Sequence, residues 1–157
     1  MYWIPGLKNG CLTTMPKPDG GDLLLSALQS WKNEGTNVVV SLLTEDEMET
    51  AVLTKEGALC QQSGMQYINF PIQDYSTPTD TQATISLILN LGKMLNQGKQ
   101  IAVHCWGGIG RSTTIVAATL IAQGFEPATV FDVIGQARGH QVPDTEEQKQ
   151  WVWHLPI

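Results

Sequence analysis

One short segment concentrates the residue types needed for nucleophilic chemistry: His104-Cys105-Trp106-Gly107-Gly108-Ile109-Gly110-Arg111-Ser112. A cysteine and an arginine bracket a loop that contains three glycines. Glycine permits tight turns and backbone conformations that other residues avoid. Successive N–H groups of such a loop can face inward and form a nest for an anion. A helix starting at Arg111 adds the positive end of its dipole to the same spot. The guanidinium of Arg111 is a planar fork that fits two oxygens of a phosphate. Cys105 then lies at the floor of a concentrated positive field, where a thiol ionises readily. A thiolate facing a tetrahedral anion is a nucleophile aimed at phosphorus. Residues 106–111 (Trp106, Gly107, Gly108, Ile109, Gly110, Arg111) are the expected phosphate-binding set.

The spacing of cysteine and arginine is weak evidence by itself, and the glycine-rich context carries the argument. Cys11 and Cys60 are followed six positions on by Lys17 and Gln66, so neither repeats the pattern. A nucleotide-binding P-loop needs Gly-Lys-Ser/Thr, and no lysine precedes Ser112. A dinucleotide fingerprint is excluded because Gly107 and Gly110 lack the third glycine spacing. Three cysteines without a Cys-x-x-Cys pair make neither a disulfide frame nor a zinc site, so no metal or cofactor is expected.

A strand must end at His104 and a helix must begin at Arg111 for this loop to work. Short apolar runs at 38–43, 67–70 and 101–104 read as strands covered on both faces, and a weaker strand is expected within residues 2–14. Helices alternate with them. One runs from Asp22 to about Glu34 and stops at Gly35. Thr44 and Glu47 form a capping box that opens another, and a further short one follows from Thr54. A long helix spans Asp80 to Gln97, with Asp80 as its cap. Arg111 to Gln123 is apolar on most of its circumference and should be central and buried. In it, the Thr119 hydroxyl can bond back to its own helix. Pro127 opens a helix that Gly139 closes, and Thr145 with Gln148 caps a last one carrying Trp151 and Trp153. The result is an α/β domain spanning residues 1–157, with a central, mostly parallel β-sheet.

The segment His-Cys-x-x-Gly-x-Gly-Arg-Ser resembles the signature loop of the cysteine-dependent protein tyrosine phosphatases. The short chain resembles their dual-specificity branch, and the stretch from about Leu42 to Gln148 is similar to the small phosphatases of the kinase-associated type. Residues 1–30 match only loosely. The resemblance implies a sheet flanked by helices on both faces, with the signature loop between the last central strand and a buried helix. It also implies a general acid on an upstream loop. Pro71-Ile72-Gln73-Asp74-Tyr75-Ser76-Thr77-Pro78 resembles that loop, which makes Asp74 the expected acid. Ser112 is expected to help the sulfur leave, and His104 to hold the loop through hydrogen bonds. Relatives often place two glutamines in a late loop to position water. Here Asp144 stands at the first place and Gln148 at the second, where capping competes with water positioning. The acidic run 44–49 reads as a solvated helix start, because adjacent carboxylates on a helix diverge.

These features predict a metal-free phosphomonoester hydrolase acting through a phosphocysteine. Its expected partner is a phosphorylated protein carrying phosphotyrosine, phosphoserine or phosphothreonine. No lysine lies between Cys105 and Arg111 to meet the extra phosphates of a phosphoinositide. The alternatives are a catalytically weak phosphopeptide-binding module, a phosphatase of non-protein phosphomonoesters, or a sulfur transferase or arsenate reductase. Composition narrows the partners. The chain has 157 residues and a formal charge of −6, which disfavours both nucleic acid and polybasic membrane binding. No apolar run reaches the roughly 18 residues of a membrane span. The N-terminus lacks the basic-then-apolar pattern of a signal peptide, and the sparse, odd set of cysteines leads to the expectation of a reducing, cytoplasmic setting.

Overall fold

The computed structural model describes residues 1–157. Its frame is four parallel strands: β1 (Cys11–Met15), β2 (Val38–Ser41), β3 (Gln66–Asn69) and β4 (Gln100–His104), in the order β1-β4-β2-β3. The weak N-terminal strand is β1, and Trp3 adds one antiparallel bridge to it at Thr13. β2 shows why these strands read as unbroken apolar runs. Val38 and Val40 pack into one core cluster and Val39 into another across the sheet. The pleat sends alternate side chains to opposite faces, and helices cover both.

One face is covered by α1 (Leu24–Asn33) and α3 (Glu56–Gln62), through Leu24, Leu28, Trp31 and Cys60. The other carries α4 (Thr81–Asn96), α5 (Arg111–Ala122), α6 (Val130–Arg138) and α7 (Glu146–His154). A short α2 (Glu45–Thr50) follows β2. Helices therefore flank both faces, as expected. α5 is buried from Arg111 through Leu120. It tolerates threonines there because Thr114 and Thr119 return their hydroxyls to Gly110 O and Ile115 O, both at 2.8 Å.

Most helix ends follow the expected signals. Thr44 and Thr145 form reciprocal capping boxes with Glu47 and Gln148, Asp80 accepts the Ala83 N–H at 2.9 Å, and Gly139 closes α6 in the left-handed conformation (φ 73°). Two boundaries differ. The first helix begins as a 3-10 turn at Gly21–Leu23. Pro127 does not open α6, which starts at Val130 behind Thr129. Pro127 sits in the preceding turn, and its carbonyl accepts the Trp153 indole N–H at 2.9 Å.

The topology leaves a crevice at the carboxyl edge. β2 and β4 are neighbours, but the chain leaves β2 toward α3 on one face and leaves β4 into α5 on the other. Such a switch point is where ligands bind in open parallel sheets. Because α5 is the packing centre of its face, Ile115→Ala should destabilise the protein by about 2–5 kcal/mol. Urea denaturation would check this.

Candidate active site

Segments at the carboxyl ends of all four strands meet at this edge: 14–17 at the end of β1, Glu47 after β2, Asp74 after β3 and 105–111 after β4. The structure thus brings Cys105, Arg111, Ser112 and Asp74 together.

The signature loop is held from outside by its carbonyls. Cys105 O accepts from His104 Nδ1 at 3.2 Å, and Trp106 O accepts from the Lys17 N–H at 3.1 Å. Arg138 donates to Gly107 O at 3.0 Å and to Gly108 O at 3.2 Å, while Thr14 Oγ1 adds a second bond to Gly108 O at 3.3 Å. Ile109 O accepts from the Thr113 hydroxyl and Gly110 O from the Thr114 hydroxyl. In a planar trans peptide the C=O and N–H point opposite ways. With every carbonyl from 105 to 110 turned outward, the following amides, 106 to 111, turn toward the cup. The N–H groups of 106–110 donate to no protein acceptor. Gly108 has φ 71°, and a Cβ there would strike the Met15–Pro16 backbone at 2.5 Å; only glycine meets both demands.

Cys105 is buried at 3% exposure, and its Sγ lies 3.4 Å from Ser112 Oγ. Ser112 Oγ is held in turn by Thr14 Oγ1 at 2.6 Å. Arg111 is 1% exposed. One edge of its guanidinium meets Glu47 in a two-pronged bridge, Nη1 at 2.7 Å and Nη2 at 2.9 Å. Nη1 also donates to Ile72 O at 2.8 Å, and Nη2 lies 3.1 Å from Asp74 Oδ1. Nε is buried with no partner in the protein. Burial alone would weaken the guanidinium charge. The Glu47 hydrogen bond and the charges of Cys105, Glu47 and Asp74 together outweigh that and hold the charge more firmly than usual. Burial likewise raises the Glu47 carboxyl, but the bonds from Arg111 and Thr44 overcome it and leave it below the ordinary carboxylate range.

Glu47 corrects the reading of 44–49 as a solvated helix start. Its carboxylate closes the capping box of α2 through Oε2 and clamps Arg111 with both oxygens. Sequence reasoning also missed Arg138, whose guanidinium stacks 4.4 Å over the Tyr2 ring while it holds two loop carbonyls. Thr14 and Glu56 were missed as well; Glu56 lies 2.7 Å from His104 Nε2. Only the capping box offered a signal in sequence, and it pointed to a local role.

Asp74 is half exposed, and its Oδ1 also accepts the N–H of Tyr75, which adopts φ 55°. Gln148 is fully buried and engaged at both ends: Oε1 accepts the Thr145 N–H, and Nε2 donates to Ser76 O of the Asp74 loop at 3.2 Å. Asp144 packs against Gly110, where a Cβ would collide with its carboxylate. Burial raises the Asp144 carboxyl, and the nearby Asp74 raises it further. Trp106 is exposed at the mouth, with Lys17 Nζ 5.0 Å over its ring. Cys60, by contrast, is fully buried among apolar side chains; burial and the adjacent Glu56 push its thiol up to about 12, which makes it inert at neutral pH. The residues offer no cluster able to hold a metal ion.

Known proteins resemble this chain to graded extents. Cyclin-dependent kinase inhibitor 3 from Rattus norvegicus is 26% identical over 123 residues, covering 77% of this chain but only 58% of the relative. The chain thus spans little more than half of that protein's length. A crystal structure of kinase-associated phosphatase, with its catalytic-site cysteine replaced by serine, superposes with a TM-score of 0.82 at 21% identity, covering 96% of this chain and 89% of that one. The active form of the phosphatase Tk-PTP gives 0.73 at 21% identity, covering 94% and 90%. Residues 15–125 match the family Tc-R-P, described as a polymorphic toxin system, DSP-PTPase phosphatase. With strands β2 to β4 and the whole signature loop inside that match, the chain belongs to this family of dual-specificity-type phosphatase domains.

Proposed function

We propose that the chain hydrolyses phosphomonoesters on proteins, at tyrosine or serine/threonine, through a phosphocysteine and without a metal. The observation that carries this reading is the cup above Cys105. Outward-held carbonyls leave a ring of free amides, and the one guanidinium beside them keeps a buried, unpaired Nε–H. A tetrahedral dianion satisfies both.

In this reading Cys105 Sγ attacks phosphorus as a thiolate, and a sulfur–phosphorus bond forms as the ester oxygen–phosphorus bond breaks. Asp74 gives its proton to the departing oxygen, since an alkoxide or phenolate leaves poorly unless protonated. The amides of 106–111 and Arg111 hold the phosphoryl oxygens as charge builds on them. Water then attacks the phosphocysteine, Asp74 takes its proton, and the Ser112 hydroxyl donates toward the departing sulfur. His104 and Arg138 act on the loop, not on the substrate. Gln148 anchors the acid loop through Ser76, and this tether favours a supporting role over water positioning. Membership in a family described from polymorphic toxin systems is compatible with an effector that strips phosphate from target proteins.

The protein as a whole can be tested with a generic aryl phosphate. Cys105→Ser should abolish turnover yet retain vanadate or phosphate binding; residual turnover at the wild-type rate would defeat the assignment. Asp74→Asn should slow the reaction by about 10²–10⁴-fold at mildly acidic pH, and an unchanged rate would place the acid elsewhere. Glu47→Gln should lower stability at neutral pH. Because the folded-state carboxyl is held below its usual range, this contribution is present above the unfolded value near 4.3 and fades as pH falls through the depressed one. Thermal melts of both proteins should therefore converge in acid.

A further inference from the structure

We propose that Glu56 is a positioning residue for the phosphate-binding cup, acting through His104 on the Cys105–Trp106 peptide. The inference deepens the phosphatase reading and rests on it. Glu56 and His104 are both fully buried, and Glu56 Oε1 lies 2.7 Å from His104 Nε2. The other ring nitrogen, Nδ1, faces the carbonyl of Cys105 at 3.2 Å. His104 reaches the loop through that carbonyl, and Glu56 reaches it only through His104. Trp31 packs edge-on against the His104 ring with centroids 6.0 Å apart, and Tyr67 donates to the second Glu56 oxygen at 3.5 Å.

The proton count gives the pair its role. A carbonyl oxygen can only accept, so Nδ1 carries a proton. Nε2 faces a carboxylate oxygen, so a second proton lies between ring and carboxyl. A neutral imidazole left alone can choose the other tautomer, whose bare Nδ1 would repel the Cys105 carbonyl. Glu56 removes that choice. It fixes the ring plane, draws Cys105 O backward, and so aims the Trp106 N–H at the phosphoryl oxygens. Stability alone is a poor account of the pair, because apolar replacement of a buried ion pair is often neutral or favourable. Glu56 belongs to α3 and His104 to β4, so this contact ties the helix layer of one face to the nucleophile loop.

The test compares the full chain with Glu56→Gln and Glu56→Leu, measuring kcat and KM for an aryl phosphate, inhibition by vanadate and thermal melting. Glu56→Leu should melt as a folded protein, with kcat down by about 10²-fold, the cost of a slightly misplaced group, and weakened vanadate binding. Glu56→Gln, whose amide N–H can donate to Nε2 and so hold the neutral ring with its proton on Nδ1, should recover most of the rate. A purely structural role would instead shift melting in both variants and leave kcat unchanged. In the wild-type protein, the imidazole ¹⁵N spectrum should show His104 Nδ1 protonated. A folded Glu56→Leu with wild-type kcat and vanadate affinity would overturn the proposal, as would a bare Nδ1, which decides the matter even if the leucine variant fails to fold. Should the wild type neither hydrolyse the aryl phosphate nor bind vanadate, the phosphatase reading fails, while the spectrum still judges the His104–Glu56 geometry.

Discussion

A loop of backbone amides can face an anion only if something else holds its carbonyls. Here that task falls to donors from every side: His104 from within, Lys17 and Thr14 from the β1 exit, Arg138 from α6, and Thr113 and Thr114 from α5. Amides converging on one point repel each other electrically unless an anion is present. The fold supplies the restraining bonds in advance, so the cup needs no reorganisation to face an anion. The parallel sheet makes this possible, because it delivers four strand ends to one edge.

Arg111 poses the complementary problem. A guanidinium at 1% exposure has left water behind, and a buried cation needs a partner. Glu47 neutralises one edge of the fork and leaves Nε unpaired. The same carboxylate completes the capping box of α2. A six-residue helix too short to be stable alone is therefore pinned by the buried guanidinium, and fraying of α2 would release Arg111. Asp74 approaches the same guanidinium from the loop after β3, so Arg111 ties the signature loop, the Asp74 loop and α2 together.

What could be read from sequence and what could not divide along chain separation. The signature loop, the capping boxes at Thr44 and Thr145, and the apolar runs of β2 and β4 are local patterns, and each appears where expected. The supporting residues act across 64 positions for Glu47–Arg111, 48 for Glu56–His104 and 30 for Arg138–Gly108. Nothing in their own neighbourhoods marks them. Glu47 has the stronger disguise, because its local role as a capping residue is real and sufficient by itself to explain its type. The Pro127 boundary failed for a different reason: its carbonyl is committed to Trp153, and the turn is set by that tertiary bond.

The three cysteines have a consequence for redox chemistry. Cys11 pairs with Gln100 at the opposite end of β4 from Cys105, roughly 16 Å away at 3.3 Å per residue. Cys60 lies in the core on the other side of the sheet. A disulfide needs α-carbons within about 7 Å, so neither thiol can resolve an oxidised Cys105. A sulfenic acid formed there would have to condense with a backbone nitrogen or await a small thiol from solution. Recovery from oxidant would therefore track the reducing power of the surroundings and not any internal relay.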